Sequence, residues 1–210
     1  MADKVFADRP VPVPPGHTRA GLAGTGRLAD DVWLLAHHEV SGRSLLQPRA
    51  AGLGLAGALL AELALIGAVR VAADGCAVTG RVRPQDGLMR AVQFRMLGER
   101  ERHSARDWLA FLARSAAGDV ARRLAGAGYL VLAQSRRPWG AARWVPSDPD
   151  WAFAPVIRAR AALDPIRPAA PESTALAGLA VACGLGSRLL AYGPPGARQV
   201  LAERGPPARP

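Results

Sequence analysis

Residues 52–69, GLGLAGALLAELALIGAV, decide the fold of this chain. Every position is apolar or glycine except Glu62, so an α-helix built from this stretch has no polar face to turn towards water. A helix that is apolar all round is buried, either in a bilayer or in the interior of a protein. The choice between these two environments therefore comes first.

Three features of the stretch favour the interior of a protein over a bilayer. Its eighteen residues are close to the lower limit for spanning a membrane, and many of them are alanine or glycine. An ionised Glu62 near the centre of a bilayer costs about 2.5–3.5 kcal/mol. The next residues, VRVAADGCAVTG, predict two short strands around an Asp74–Gly75 turn. We therefore predict a buried core helix over residues 52–67.

The length and composition predict one globular domain between two tails. Half of the 210 residues are hydrophobic, which is enough for a substantial core. Residues 1–26 are rich in proline and glycine, lack hydrophobic periodicity and carry no apolar signal sequence. We expect a flexible tail over 1–26, a domain over 27–193 and a C-terminal tail over 194–210. We also expect a cytoplasmic location, with Cys76 and Cys183 free and reduced.

The hydrophobic spacing elsewhere predicts a mainly α-helical domain with short β-hairpins. A helix is predicted to begin near Arg27, where Leu28, Val32 and Leu35 have helical spacing, and Gly42 ends this segment in a turn. Ser104 with Asp107 has the pattern of a capping box at the start of another helix. Two apolar segments, YLVLAQ and WVP, flank the sequence SRRPWGAAR, which predicts a protruding basic hairpin. Residues 81–103 fit a strand or a helix equally well.

The charge of the chain is positive and concentrated. Of its 27 basic residues all but Lys4 are arginine, and the formal net charge is +10. Residues 81–143 hold thirteen arginines and five acidic residues, which gives this segment +8 of that total. Such a focus is typical of a protein with an anionic partner, such as a membrane surface, a phosphate head group or a nucleic acid. A solvated arginine-rich face is the alternative.

The tip of the basic hairpin is a candidate for membrane or oligomer contact. An exposed Trp139 flanked by Arg136, Arg137 and Arg143 suits a membrane interface, because indole prefers the head-group region and arginine attracts anionic lipid. The same residues suit a contact between copies of the chain. Folding of Trp139 back onto its own domain is the third alternative.

The sequence lacks the motifs of a catalytic or metal site. His37, His38 and Glu39 are adjacent, and neighbouring residues on a helix point about 100° apart, so they do not form a metal triad. Asp30 and Asp31 are interpreted as first-turn carboxylates favoured by the helix dipole. No nucleophile–base pair and no phosphate-binding loop is recognisable. We therefore expect no enzyme activity, no metal and no cofactor.

The order of three motifs resembles the Golgi phosphoprotein 3 family, in its bacterial, actinobacterial-type branch. LADDVWLLAHHEVSGRS comes first, GLGLAGALLAELALIGAV follows after a short gap, and DVARRLAGAGYL precedes the basic hairpin. The resemblance covers about residues 27–190. It implies a single, mostly helical domain with a hairpin that mediates oligomerisation and touches the membrane.

The resemblance also implies a pocket for a lipid head group. Eukaryotic members are peripheral membrane proteins that hold glycosyltransferases in the Golgi. They recognise phosphatidylinositol 4-phosphate with a tryptophan, an arginine at the start of the apolar helix and two further arginines. By register these positions hold Gln47, Ala56, Arg114 and Ala117 here, and Arg49 lies nearby. A phosphomonoester needs several cations or donors, so a match at Arg114 alone does not carry over the lipid specificity.

Three functions from different classes are considered, of which the third, an enzyme with an unrecognised site, is the least favoured because the sequence offers no nucleophile–base pair. The first is a peripheral membrane protein that binds anionic lipid, forms a homo-oligomer and acts as an adaptor for a protein client. The second is a winged-helix-like nucleic-acid-binding protein, since RRLAGAGYL and the basic hairpin have the order of a recognition helix and a wing. The second is less favoured, because that helix lacks Asn, Gln, Ser or Lys to contact base edges.

Overall fold

The structure is a computed structural model that describes residues 25–134, 142–166, 168–191, 193–194 and 196–204, with the backbone alone for 201–204. In these ranges the chain is 55% helical, with nine helices and two small antiparallel two-stranded sheets. This architecture confirms the predicted mainly α fold with short hairpins. In chain order the elements are α1 (Leu28–Leu35), α2 (Pro48–Leu65), β1 (Val69–Ala72), β2 (Gly75–Val78), α3 (Gly87–Gly98), α4 (Ala105–Leu112), α5 (Ala116–Gly126), β3 (Leu130–Ala133), β4 (Arg143–Pro146), α6 (Pro149–Ala161), α7 (Pro171–Ala182), α8 (Gly186–Leu190) and α9 (Ala197–Arg204).

Helix α2 lies at the centre of the domain. It begins at Pro48, whose ring fits the first helical turn, and so starts four residues before the predicted Gly52. It contacts α1, α3, α4, α5, α7 and β1, so its apolar residues meet other elements on several sides. Leu55, Leu59 and Leu63 have at most 1% of their surface exposed. This is the packing of a core helix, as predicted, although by length and composition alone α2 is also able to cross a membrane.

Glycines on α2 let the neighbouring helices approach closely. A β-carbon at Gly52 would lie 2.6 Å from the carbonyl oxygen of Ala113, which follows α4. A β-carbon at Gly54 would collide with the Sγ atom of Cys183, which follows α7. Because a packed interior has no room to absorb an added methyl group, these glycines set the separation between α2 and its neighbours.

A buried ion network joins α1, α2, α3 and α5. The Arg123 side chain is 8% exposed and reaches Asp30 at 2.6 Å, Asp86 at 3.0 Å and Glu62 at 3.7 Å. Oε1 of Glu62 also accepts the backbone N–H of Ala29 at 2.6 Å, which places a carboxylate at the positive end of α1. The one charge of the apolar helix is therefore compensated inside the protein.

The network holds three carboxylates around one guanidinium, and burial is the largest influence on their pKa values. Burial raises the pKa of Asp30 and of Glu62, while the charge of Arg123 opposes the rise. Partial burial would raise the pKa of Asp86 too, but hydrogen bonds from the Met89 N–H and from Arg123 outweigh it and lower that pKa. Folding therefore favours the protonated form of the two deeper carboxyls and the ionised form of Asp86.

Asp31 forms a second buried ion pair, with Arg158 of α6. Its side chain has no exposed surface, and both the N–H and the hydroxyl group of Thr25 donate to its other oxygen at 3.3 Å. Burial, opposed by the charge of Arg158, raises the pKa of Asp31 to about 6. Asp30 and Asp31 do lie in the first turn of α1, as interpreted from the sequence. Their tertiary partners, however, were not predicted.

Local sequence patterns located most of the remaining elements. The segment that fitted strand or helix is α3, whose N-cap Asp86 accepts the Met89 N–H and which buries Met89 and Met96 one above the other. Helix α4 begins at the predicted capping box of Ser104 and Asp107. Both predicted hairpins form, with β1 paired to β2 and β3 paired to β4.

The last helix, α9, lies within residues 194–210, which the sequence assigned to a C-terminal tail. Ala197 and Val200 of this helix are buried against the core. Residues 1–24 lie outside the described part of the chain. The division into two tails and a domain stays a prediction.

Candidate functional site

A pocket of about 470 Å³ lies where the end of α1, the loop after it, the first turn of α5 and strand β4 meet. We call it the arginine pocket, because two arginines and no carboxylate occur among its described lining residues. These residues are Trp33, His37, Gly42, Arg43, Ser44, Ala117, Gly118, Ala121, Arg143 and Trp144.

The loop after α1 is folded tightly and lies against β4. The N–H of His38 donates to the carbonyl of Arg43, and the N–H of Gly42 donates to the carbonyl of His38, both at 2.9 Å. Gly42 has a φ of +63°, and a β-carbon there would collide with the carbonyl oxygen of Trp144. Since only glycine accepts both conditions without strain, Gly42 is what allows Arg43 and Arg143 to share one pocket.

The first turn of α5 supplies backbone donors. The N-cap residue, Ser115, makes no side-chain hydrogen bond to the helix, and Ala117 and Gly118 of the first turn line the pocket. N–H groups without a helical partner and the positive end of the helix dipole together favour an anion at this position. Asp119 follows in the same turn, but it is paired with Arg122.

Arg43 and Arg143 supply two positive charges. Both residues are exposed, and within the described part of the chain neither has a carboxylate at ion-pair distance. A guanidinium presents five N–H donors in a planar fork, which fits two oxygens of a phosphate group at once. The pocket therefore has the positive charge and the N–H donors that a phosphorylated ligand requires.

Aromatic rings form another part of the lining. The ring of His37 stacks on Trp33, with centroids 3.7 Å apart and planes 11° apart. Nδ1 of His37 lies 2.7 Å from the carbonyl oxygen of Trp33, so we assign the proton to Nδ1, which donates it. Burial lowers the pKa of His37, and the neutral ring keeps Nε2 as an acceptor for a ligand hydroxyl group.

The comparison with protein families covers almost all of the described fold. The Golgi phosphoprotein 3 (GPP34) family matches residues 28–205. The chain belongs to the Golgi phosphoprotein 3 family. The resemblance predicted from the three motifs is thus confirmed, while the bacterial branch stays a prediction. A comparison with curated proteins gave no match.

The five positions predicted for a lipid head group in this Golgi phosphoprotein 3 family member are spread over the surface and the core. Gln47 and Arg49 are exposed at the start of α2, and Arg114 is exposed between α4 and α5. Ala56 has no exposed surface and faces core side chains. Ala117 lines the arginine pocket. The structure therefore brings one of the five positions into that pocket.

Of the four residues predicted at the basic hairpin, one lies in the described part of the chain. Arg143 begins β4 and lines the arginine pocket. Arg136, Arg137 and Trp139 lie outside the described residues. Their role in membrane or oligomer contact stays a prediction.

Sequence reasoning missed Arg43 and the carboxylate partners of Arg123. A signal for the first was present, since Gly42 followed by a cation and a hydroxyl residue marks a turn that can present both. A signal for the second was the spacing of Val120 and Leu124, which places Arg123 near the buried side of its helix. An arginine on a buried face requires a carboxylate partner.

Proposed function

We propose that the protein binds the anionic head group of a membrane lipid in the arginine pocket, as a peripheral membrane protein in the cytoplasm. The observation that carries this proposal is the meeting of Arg43 and Arg143 with the uncapped first turn of α5. A phosphomonoester with a charge of about −1.5 to −2 suits this combination, because arginines bind it bidentately and helix N–H groups donate to its other oxygens. Membership of the Golgi phosphoprotein 3 family supports the same role.

The lining favours a phosphorylated ring that carries hydroxyl groups, as a phosphoinositide head group does. Nε2 of His37, whose ring stacks on the buried Trp33, is an acceptor, and Ser44, whose hydroxyl group donates to the carbonyl of Leu46, keeps a lone pair that also accepts. A volume of about 470 Å³ lies within the range of about 300–1,000 Å³ that is usual for small-ligand sites. Phosphatidylinositol 4-phosphate would then be bound by Arg43 and Arg143 in place of the arginines that relatives use.

The remaining positive charge of the chain supports attachment to an anionic bilayer. Residues 81–143 carry a net +8, in which Arg143 belongs to the pocket and Arg123 lies in the interior. Each further arginine that reaches an anionic surface contributes about 1 kcal/mol of attraction. The proposal includes a homo-oligomer and a protein client held at the membrane, in an adaptor role. It assigns no reaction, in line with a family that is not known as an enzyme family.

The geometry gives less support to the nucleic-acid alternative. Helix α5 and the β3–β4 hairpin do follow one another, but α5 buries Val120 and Leu124 and uses Arg123 in the interior. Arg122, on its exposed side, is paired with Asp119. A helix whose arginines are engaged with carboxylates offers little to read base edges.

Vesicle flotation tests the proposal. The protein is mixed with phosphatidylcholine vesicles that contain phosphatidylinositol 4-phosphate, phosphatidic acid or phosphatidylglycerol, and inositol 1,4-bisphosphate is the soluble competitor. We expect the two phosphomonoester lipids to bind better than phosphatidylglycerol, with weaker binding at high salt. The Arg43→Ala/Arg143→Ala double variant should bind roughly tenfold more weakly or worse, because two bidentate donors are lost.

Arg81→Ala/Arg83→Ala is the matched control, since both residues are exposed and neither lines the pocket. It removes the same charge, so an equal loss in both double variants would reduce the binding to non-specific attraction and contradict the proposed pocket. An absence of binding to every anionic vesicle, together with salt-sensitive retention of double-stranded DNA, would favour the nucleic-acid alternative.

A further inference from the structure

A second recess, of about 510 Å³, lies between α3 and α4 and shares no lining residue with the arginine pocket. Phe94 of α3 and Phe111 of α4 form its walls, and Trp108, which is 5% exposed, lies at its floor. The rings of Trp108 and Phe111 meet edge to face, with centroids 5.8 Å apart. We call this recess the α3–α4 groove.

The apolar side chains beside the groove are strongly exposed. Phe94 is 76% exposed, Leu97 is 61% exposed and Phe111 is 46% exposed. Helix α3 already buries Met89 and Met96 against the core on its other face. Phe94 and Leu97 therefore form a second apolar stripe on the same helix, and a contiguous exposed apolar surface of this kind marks an interaction site.

The charges around the groove are unbalanced. Glu99 faces His103 at 3.6 Å and Asp107 accepts the hydroxyl hydrogen of Ser104, but neither contact removes the charge of the carboxylate, so Glu99, Glu101 and Asp107 are three negative charges near the groove. Four arginines of α3, α4 and their connection are exposed and pair with no carboxylate among the described residues: Arg90, Arg95, Arg100 and Arg106. Arg95, Glu99 and Asp107 line the groove itself, whereas Arg90, Arg100 and Arg106 lie outside the lining, where Glu101 is the acid near them. The flanks of the groove are therefore net positive and complementary to acidic residues on the flanks of a partner.

We propose that the α3–α4 groove binds an acidic amphipathic helix of a partner protein. A groove between two helices accepts apolar side chains spaced at i, i+3 or i+4, and i+7 on a third helix. Acidic residues on the flanks of that helix would then meet the four arginines. A bilayer surface contacts protruding side chains, whereas Trp108 lies below Phe94 and Phe111, where an inserted side chain reaches it. The inference is independent of ligand binding in the arginine pocket.

Fluorescence anisotropy with a synthetic peptide tests this inference on the full chain. The probe is a labelled helical peptide of about 16 residues, with leucine and tryptophan on one face and glutamate on both flanks. A second peptide carries lysine in place of each glutamate, and vesicles of phosphatidylglycerol and phosphatidylcholine provide the membrane arm. We expect the glutamate peptide to bind, and the lysine peptide to bind roughly tenfold more weakly or worse.

Two sets of variants locate the binding. Phe94→Ala/Phe111→Ala should weaken binding of the glutamate peptide roughly tenfold or more, because aromatic anchors dominate the energy of such interfaces. Phe111 packs on Trp108, so the double variant should lower the thermal unfolding midpoint slightly, whereas Phe94→Ala alone, at a side chain that is 76% exposed, should leave the midpoint unchanged and still weaken binding. Ile166→Ala is the matched control, since Ile166 is 88% exposed and lies between α6 and α7. It should leave the affinity as it is.

A charge swap completes the test. Arg90→Glu/Arg95→Glu should reverse the preference, so that the lysine peptide binds better than the glutamate peptide. Equal binding of the two peptides, full affinity in the Phe94/Phe111 variant, or no binding of the glutamate peptide would each overturn the inference. Vesicle binding that is lost in the Phe94/Phe111 variant, without peptide binding, would also overturn it and assign the face to a membrane.

Discussion

Arg123 in the interior and Arg43 and Arg143 at the arginine pocket are the same residue type in opposite surroundings. The Arg123 side chain is 8% exposed and has three carboxylates within 3.7 Å. Arg43 and Arg143 are exposed, and none of the described carboxylates pairs with them. The two regions differ in the number of acids that the fold brings to each guanidinium.

The difference separates stability from binding. Removing the interior arginine leaves buried carboxylates without a counter-charge, which costs free energy of folding. Removing a pocket arginine leaves no buried group unpaired, so the change falls on ligand affinity. Unfolding and binding measurements on the same variants therefore distinguish the two regions.

The largest expected effect is the loss of the interior guanidinium. Arg123→Met should lower the free energy of unfolding by about 3–5 kcal/mol, because Asp30, Asp86 and Glu62 lose their shared cation. Urea unfolding followed by circular dichroism measures it. Arg122→Met is the control, since its side chain is 68% exposed in a surface pair, which is worth about 0.5 kcal/mol or less. Similar losses of stability in the two variants would contradict the difference between interior and surface arginines.

The second test uses pH. The pKa of Asp31 is about 6 in the folded protein, whereas its ordinary value is 3.8, so the folded state holds the proton more tightly. This group therefore contributes stability that is complete below about pH 3.8 and is lost as the pH rises through about 6. At about 1.36 kcal/mol per pKa unit the contribution is about 3 kcal/mol. Asp31→Asn should remove that dependence, which urea unfolding at a series of pH values measures.

The direction of this pH dependence has an internal control at the start of α4. Hydrogen bonds from Ser104 lower the pKa of Asp107, so its contribution is present at neutral pH and is lost on acidification. As the pH rises, the stability of Asp107→Asn relative to wild type should therefore fall, whereas that of Asp31→Asn should rise. The same trend in both variants would contradict the assignment of Asp31 as a buried acid.

The third test probes how closely the interior is packed around α2. Gly54→Ala should destabilise the protein by about 1–3 kcal/mol, because its methyl group collides with Sγ of Cys183. The additional change Cys183→Ala should restore part of the loss. Gly178→Ala in α7 meets no atom within 4 Å and should stabilise the helix by about 0.5–1 kcal/mol. Thermal unfolding of the four proteins measures all these effects.

The smallest expected effect on stability is at the pocket itself. Arg43→Ala/Arg143→Ala should change the free energy of unfolding by less than about 0.5 kcal/mol, because both side chains are exposed. The same double variant should lose lipid binding in the flotation assay. A loss of stability as large as that of Arg123→Met would show that these arginines support the fold rather than a ligand.

Much of the fold follows from local patterns in the sequence. The apolar stretch 52–69 predicts the central helix, Ser104 with Asp107 predicts the start of α4, and the apolar segments around turns predict both hairpins. The four-residue error at the start of α2 has a local cause as well, because Pro48 at the first helical position extends the helix beyond its apolar run. These features depend on neighbours in the chain, which a sequence displays directly.

The sequence by itself determined that the central helix is apolar on every side, that Glu62 on it needs compensation and that arginine is concentrated in one part of the chain. Only the tertiary structure decided which arginines compensate buried carboxylates and which stay available to a ligand. Arg123 meets Asp30 across 93 positions of the chain, and Gly42 meets Trp144 across a similar separation. Such pairings depend on how helices pack, and residue spacing along one element carries no information about them.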